Sequence, residues 1–250
     1  MSGRFDGQVA IVTGASRGIG FAVAERFVAD GGRVCITARK PEALEAVQAL
    51  GGSEKAIFVA GAADVAQHQD ETIAATLDAF GRLDFLVNNT GINPAYGRMI
   101  DIDLEAANKI FQVNVVAAIG WAQKVYRASL KDNGGAIVNI ASVAGQRPAP
   151  GIGTYGASKA ALIHVTQELA VELGPNIRVN AVAPAVVKTK FAKALYDGRE
   201  DEVSAPYPLK RLGVPDDIGS VVTFLLSGDA GWMTGQTITI DGGVLLGGGV

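Results

Sequence analysis

Seven parallel strands in one doubly wound α/β sheet, with helices on both faces, are what this sequence predicts. Three observations lead there. Short continuous apolar runs recur along the 250 residues, and buried parallel strands read this way because both their faces are covered. Helical patterns separate these runs, and strict alternation argues for a parallel sheet enclosed by helices. The first run leads directly into Gly14, Gly18 and Gly20, a cluster that turns a chain sharply from strand to helix.

The elements follow in order. Residues 9–12 (Val-Ala-Ile-Val) predict the first strand, and Ile19, Val23 and Phe27 at four-residue steps predict the helix after it. Residues 34–36, around Cys35, give the second strand and residues 57–60 the third. Ile73, Leu77 and Phe80 then form a helical stripe before the fourth strand at 85–87. A long helix carrying Phe111 and Tyr126 precedes the fifth strand at 137–140; the sixth and seventh are predicted at 179–183 and 238–240. All seven fit one domain spanning 1–250. Two stretches escape the alternation. Residues 147–154 are rich in Pro and Gly and predict a loop lining a site at the strand ends. Residues 188–212, with Pro206 and Pro208, predict a substrate lid, the usual use of a long excursion from a compact domain.

Composition narrows the function. The chain is 48% apolar and 19% charged with a net charge of −3, and its basic residues form no cluster of the kind that tracks a phosphate backbone. A nucleic-acid partner is not expected. The N-terminal residues lack an apolar signal region, and no apolar stretch approaches membrane-spanning length, so a soluble cytoplasmic protein without a membrane partner is expected. Cys35 is the single cysteine and reads as a small core residue. His68 and His164 are far apart, with no cysteine or paired carboxylate at ligand spacing, and read as ordinary helix residues. No metal is expected.

Two motifs carry chemistry. Glycines at Gly-x-x-x-Gly-x-Gly after a strand let the backbone approach a pyrophosphate, whose charge then sits at the positive N-terminus of the next helix. No Gly-Lys-Ser/Thr ending is present, so a dinucleotide fits better than ATP. The second strand ends Thr37-Ala38-Arg39-Lys40. With no carboxylate there to repel a 2′-phosphate, and with Arg39 and Arg17 able to bind one, NADP(H) is predicted over NAD(H). The second motif is Ser142 with Tyr155 and Lys159. If Tyr155 opens a helix, Lys159 at i+4 lies on the same face, where its ammonium is expected to lower the phenol pKa. Ser142 is placed to hydrogen-bond the same substrate oxygen.

With both motifs present, the sequence resembles the classical short-chain dehydrogenase/reductase family over essentially its whole length, which implies a Rossmann-type fold. The matching positions imply cofactor contacts at Gly14, Ser16, Arg17, Gly18, Ile19 and Gly20, at Arg39, at Asp64 and Val65 against adenine, and at Asn89 and Gly91. They extend to Pro184, Val187 and Thr189 around the nicotinamide, and to Tyr155 and Lys159. Asn114, Ser142, Tyr155 and Lys159 match the catalytic tetrad: Tyr155 as proton donor, Lys159 lowering its pKa and binding the ribose, Ser142 on the carbonyl, Asn114 holding a relay water. Asp241-Gly242-Gly243 and Thr234-Gly235 look like the C-terminal strand region. Two positions depart from the family pattern, Thr90 where it has alanine and Ala185 where it has glycine.

The resemblance is closest to bacterial 3-oxoacyl-[acyl-carrier-protein] reductases and related carbonyl reductases. It implies NADPH-dependent reduction of a ketone to a secondary alcohol, an acyl thioester being the first candidate substrate and acyl carrier protein a possible partner for the basic residues Lys188, Lys190, Lys193, Lys210 and Arg211. It also implies a homotetramer packed through two long helices and a C-terminal edge carrying Leu245, Leu246 and Val250. The alternatives are a carbonyl reductase or alcohol dehydrogenase for retinoid, steroid or xenobiotic ketones, and a non-catalytic NADP(H)-binding regulator.

Overall fold

The computed structural model describes residues 3–40 and 44–247. Its centre is one seven-stranded sheet, all parallel, in the order β3-β2-β1-β4-β5-β6-β7. In chain order the elements begin β1 (Val9–Val12), α1 (Gly18–Ala29), β2 (Arg33–Ala38), α2 (Leu44–Ala49), β3 (Ala56–Ala60), α3 (Ala66–Phe80) and β4 (Phe85–Asn88). There follow α4 (Leu104–Phe111), α5 (Ala117–Val125), α6 (Lys131–Asn133), β5 (Gly135–Ile140), α7 (Gly153–Leu173) and β6 (Ile177–Pro184). The chain ends with α8 (Lys193–Tyr196), α9 (Glu200–Ser204), α10 (Pro215–Leu226) and β7 (Thr237–Ile240).

Strand periodicity divides the core in two. Ala10 and Val12 of β1 face a layer formed by Val23, Ala24 and Phe27 of α1, Ala46 and Val47 of α2, and Ile218, Val222 and Leu225 of α10. Ile11, between them, faces the opposite layer with Ile73 of α3, Trp121 and Val125 of α5, and Ala170 of α7. A one-residue slip of β1 would exchange these faces, so the packing fixes the register. Phe5, Phe27 and Phe85 close the first layer, Phe5 stacking on Phe27 at 4.3 Å between ring centroids. Cys35 is fully buried in the second.

Every predicted strand is present, and most are longer than their apolar runs. β6 continues through Asn180 because that amide is satisfied: its Nδ2 donates to the Met233 carbonyl at 2.8 Å and its Oδ1 accepts from the Gln236 N–H at 3.0 Å. Arg178 on the same strand caps the end of α10, donating to the carbonyls of Leu225, Leu226 and Ser227 at 2.8, 3.1 and 3.0 Å. β7 departs from the fully buried pattern: it is the sheet edge and stays half-buried. The predicted long helix is α4 to α6 without a break, its α-helical parts joined by π-helical turns at Gln112–Val116 and Tyr126–Leu130. The loop predicted at 147–154 ends two residues early, because α7 already begins at Gly153.

The stretch 188–212 is not structureless. It contains α8 and α9, and it is anchored by buried Tyr207 and Leu212 packed on Val244. His68 is more than a passive helix residue. It is buried edge-on to Trp121, neither ring nitrogen has a partner among the described residues, and burial holds its pKa below the usual imidazole value. Of the predicted apolar tail, Leu246 is exposed, Leu245 is half-buried, and Val250 lies outside the described residues.

Candidate active site

The strand order reverses between β1 and β4, so their carboxyl ends open a crevice, the place where doubly wound sheets bind ligands. The glycine segment lines one wall. Gly14 and Gly18 take left-handed φ values of 64° and 61°, conformations that cost little only for glycine. Thr13 ties the segment to the end of β4: its Oγ1 accepts from the N–H groups of Asn89 and Thr90, each at 3.0 Å. Asn89 answers through Nδ2, which donates to the carbonyls of Thr13 at 2.8 Å and Gly14 at 3.1 Å. The Ala15 N–H bonds the Thr37 carbonyl at 2.9 Å, joining the loop to β2. Any Cβ on Gly20 would lie 2.5 Å from Asn89 Nδ2, so this close approach of helix to strand needs glycine.

These residues fit a dinucleotide. A Cβ at Gly18 would meet the Thr189 side chain at 3.3 Å, so the stretch after β6 comes close to the start of α1. Arg17 occupies the N-cap position of α1, and its side chain is exposed, as are Arg39 and Lys40 just beyond β2. Among the described residues neither arginine enters an ion pair. Ser16 and Ile19 are half-buried on the same turn.

The second wall is β5 with α7. Ser142 follows β5 and caps the short turn Val143–Gly145, its Oγ accepting from the Ala144 N–H at 3.1 Å. Tyr155 lies in the first turn of α7, and Lys159 one turn on is buried beneath it, with Nζ 5.7 Å from the Tyr155 ring centroid. That ammonium donates to the Ile140 carbonyl at 2.7 Å, fastening α7 to the end of β5. Gly91 belongs here too, because a Cβ on it would sit 3.2 Å from Lys159 Nζ and 3.6 Å from Asn114 Oδ1. The sequence motifs, 128 residues apart between Gly14 and Ser142 in the numbering, are thus brought to one crevice.

Asn114 is buried in the first π-helical turn. Its Oδ1 accepts from the Ile92 N–H at 2.8 Å, and its Nδ2 donates to the Ile92 carbonyl at 3.0 Å and to Ser158 Oγ at 3.0 Å. Ser158 Oγ in turn donates to the Tyr155 carbonyl at 2.7 Å. Through these bonds the Asn114 side chain clamps the Tyr155 turn against the loop following β4. Sequence reasoning missed Ser158, whose signal was a small hydroxyl three residues after the tyrosine. It also missed Asn139, which accepts from Asn88 Nδ2 and donates to Thr166 Oγ1, both at 2.9 Å, locking β4, β5 and α7 together.

The electrostatics differ from the expected tyrosine–lysine pairing. Burial pushes the Tyr155 phenol up to about 12, and the Ser142 side chain pulls it only partly back. Burial pushes Lys159 down to about 8. Desolvation disfavours the charged form of both groups. Tyr155 is consequently a protonated acid throughout the neutral range.

The remaining predicted residues surround this centre. Asp64 follows β3, but its Oδ2 accepts a 2.5 Å bond from Lys109 of α4, a partner the sequence did not suggest. Val65 is exposed at the N-cap of α3. Pro184 ends β6; Val187 is buried and bridges to Gly213; Thr189 Oγ1 donates to the Val187 carbonyl at 3.3 Å. Ala185, at the departure from glycine, is held by its N–H to the Ile240 carbonyl at 3.1 Å. Phe191, between β6 and α8, has its ring centroid 6.2 Å from that of Tyr155. On the opposite side Gly97 bridges to Ile152, which brings Tyr96 up to the start of α7. A separate groove of about 690 Å³ runs outside the 144–151 loop, between Met99, Ile100, Ala157 and Ala160, and none of the tetrad residues lines it.

Comparison with known proteins agrees with this architecture. Residues 14–245 match the family model described as Enoyl-(Acyl carrier protein) reductase. The chain is 41% identical over 250 residues to dehydrogenase/reductase SDR family member 4 of Caenorhabditis elegans, with 96% of each chain covered. To the Homo sapiens protein of that name it is 37% identical, covering 94% of this chain and 87% of the human one. A Brucella melitensis crystal structure, titled as a short-chain dehydrogenase/reductase SDR:glucose/ribitol dehydrogenase, superposes with a TM-score of 0.91 at 33% identity, covering 98% of this chain and 99% of that one. A short-chain type dehydrogenase/reductase from Mycobacterium ulcerans gives the same TM-score of 0.91 at 30% identity, covering 98% of this chain and 92% of that one. The seven-stranded parallel sheet, the glycine crevice and these relatives lead to one conclusion: the chain belongs to the short-chain dehydrogenase/reductase family of oxidoreductases.

Proposed function

We propose that this protein is an NADPH-dependent reductase that converts a ketone into a secondary alcohol. The observation that carries the reading is the convergence of Ser142 and Tyr155 at the carboxyl end of β5, beside buried Lys159. When bound, the nicotinamide cofactor supplies the hydride equivalent. Tyr155 delivers the proton to the developing alkoxide, Ser142 hydrogen-bonds the same oxygen, and Lys159 holds the cofactor ribose. Asn114 keeps the Tyr155 turn in place through Ser158. The proposed cofactor contacts are the glycine segment with Ser16, Arg17 and Ile19, then Arg39, Asp64, Val65, Asn89, Gly91, Pro184, Val187 and Thr189. Residues 188–212 act as the lid of this single NADP(H)-binding domain, in a cytoplasmic setting where NADPH is the usual reductant.

The exposed guanidiniums of Arg17 and Arg39 support NADPH over NADH. Arg39→Ala is expected to weaken NADPH binding about tenfold, the effect of losing a charge-assisted hydrogen bond, while NADH binding stays the same. Titrating both cofactors into the native and variant chains checks this; equal affinity for the two, unchanged in the variant, would remove the NADP assignment.

Acyl carrier protein is a less fitting partner than a small ketone or coenzyme-A thioester. Of the five basic residues on the lid rim, Lys188 pairs with Glu200 at 2.9 Å, Lys193 with Asp197 at 3.5 Å and Arg211 with Asp217 at 2.6 Å. Lys210 donates to the Ala205 carbonyl at 2.7 Å. Three of the five cations are thus matched by carboxylates, leaving Lys190 and Lys210 as the charge open to an acidic protein. Comparing turnover of acetoacetyl-CoA with the same acyl group on acyl carrier protein decides between them, since docking on a basic rim would be faster and salt-sensitive.

The proposed homotetramer is supported by apolar side chains left in solvent. Leu104, Phe111 and Val116 are exposed on the long helix, Val171 on α7, and Leu246 and Trp232 at the C-terminal edge, Trp232 at 101% relative exposure. Patches of this kind mark association surfaces. Trp232→Ser is expected to shift the sedimenting species from tetramer to dimer at micromolar concentration without loss of secondary structure. An unchanged sedimentation coefficient would detach Trp232 from the interface.

A further inference from the structure

Thr90 stands immediately after Asn88 and Asn89, and its backbone N–H is fixed by Thr13 Oγ1 at 3.0 Å. That bond aims the side chain at the glycine segment: a Cβ built on Gly14 would lie 2.9 Å from Thr90 Oγ1. Gly14 has its left-handed φ of 64° at this point, and its lack of a side chain is what leaves room for the Thr90 hydroxyl against the glycine segment. Among the described residues the Thr90 hydroxyl has no hydrogen-bond partner, although the polar groups next to it, on Thr13, Asn89 and Gly14, are paired. The side chain is half-buried, so the hydroxyl sits at the mouth of the cradle and not in the core.

We infer that Thr90 is a cofactor-binding residue whose hydroxyl hydrogen-bonds the ribose–diphosphate portion of the dinucleotide over Gly14. The inference rests on the proposed placement of the cofactor in this crevice. A hydroxyl can donate to a phosphate oxygen or exchange a hydrogen bond with a ribose hydroxyl, and a position beside the glycine segment proposed to hold the diphosphate suits either. No internal hydrogen bond depends on this group, so replacing it with a methyl leaves the loop intact.

The test is equilibrium binding, read by titration calorimetry with NADPH and with ADP-ribose, which keeps the ribose–diphosphate portion but lacks nicotinamide. Thr90→Val preserves shape and removes the hydroxyl; Thr90→Ser keeps the hydroxyl and removes the methyl. Thr90→Val is expected to raise the Kd for both ligands about tenfold, while Thr90→Ser stays within about twofold of the native chain, the difference expected of one hydrogen bond to a charged or ribose group. Native-like affinity of Thr90→Val for ADP-ribose would overturn the inference while leaving the cofactor reading intact. A native chain that binds neither ligand would overturn both.

Discussion

Replacing Tyr155 by Phe is expected to lower kcat/KM for carbonyl reduction by about 10²- to 10⁴-fold, or roughly 3–5 kcal/mol of barrier. The loss should appear in turnover and not in cofactor affinity, because the ring that packs beside Lys159 and Phe191 is retained. The direction of the pKa shift sharpens the expectation. A phenol pushed up to about 12 is protonated near neutrality, so the acid needed for reduction is present there. Alcohol oxidation needs the phenolate, which becomes more abundant as pH rises toward that value. Reduction should therefore dominate near neutrality, and the reverse reaction should gain with alkalinity. Full turnover in Tyr155→Phe, with NADPH still bound, would remove the tyrosine from the chemistry.

Replacing Lys159 by Met is expected to have opposite effects on function and stability. Turnover falls with the loss of the residue beneath Tyr155. The cofactor-free fold becomes more stable. Lys159 is 2% exposed, and burial holds its pKa at about 8 against an ordinary 10.5. Below pH 8 the amine is charged in both folded and unfolded chains, and the separation of the two pKa values corresponds to roughly 3 kcal/mol opposing folding. Losing the bond to the Ile140 carbonyl offsets about 1 kcal/mol of that relief, leaving a net gain of about 2 kcal/mol at pH 7. Between about 8 and 10.5 the unfolded chain binds the extra proton, so native stability rises with pH and the advantage of the variant fades. Chemical denaturation at pH 7 and at pH 10 measures both ends. A variant less stable than the native chain at pH 7 would mean that the ammonium is better solvated than its burial implies.

What the sequence made legible follows from which signals are local. β1 and α1 were readable because an apolar run, three glycines and a four-residue stripe all fall within about 20 residues. The Tyr155–Lys159 pair was readable because helical geometry is short-range. Contacts between distant segments were not. Lys109 is 45 positions from Asp64, and nothing local marks either as the other's partner. The same holds for the Asn88–Asn139–Thr166 chain, whose members look in sequence like isolated polar residues inside apolar elements. The desolvation acting on Tyr155 and Lys159 was not legible for a related reason: proximity of the two is visible in the spacing, whereas the burial of Lys159 exists only once β5, α7 and the loop after β4 have packed. The π-helical turn that carries Asn114 also lacks a composition of its own, since its residues are ordinary helix formers. β7 was expected to be buried because its apolar residues match those of the central strands, but an edge strand has a neighbour on only one side.

Thr90 and Ala185 take no part in the hydrogen bonds that hold Asn114, Ser142 and Lys159. Thr90 fills space over Gly14, and Ala185 keeps a backbone bond to β7.

The most direct test of the account follows NADPH and NADH absorbance as the native chain is given acetoacetyl-CoA and a panel of small ketones. NADPH-linked reduction of at least one of these substrates is expected, with NADH much poorer. Tight NADPH binding with no turnover across the panel would contradict it and would favour a cofactor-sensing role for the fold.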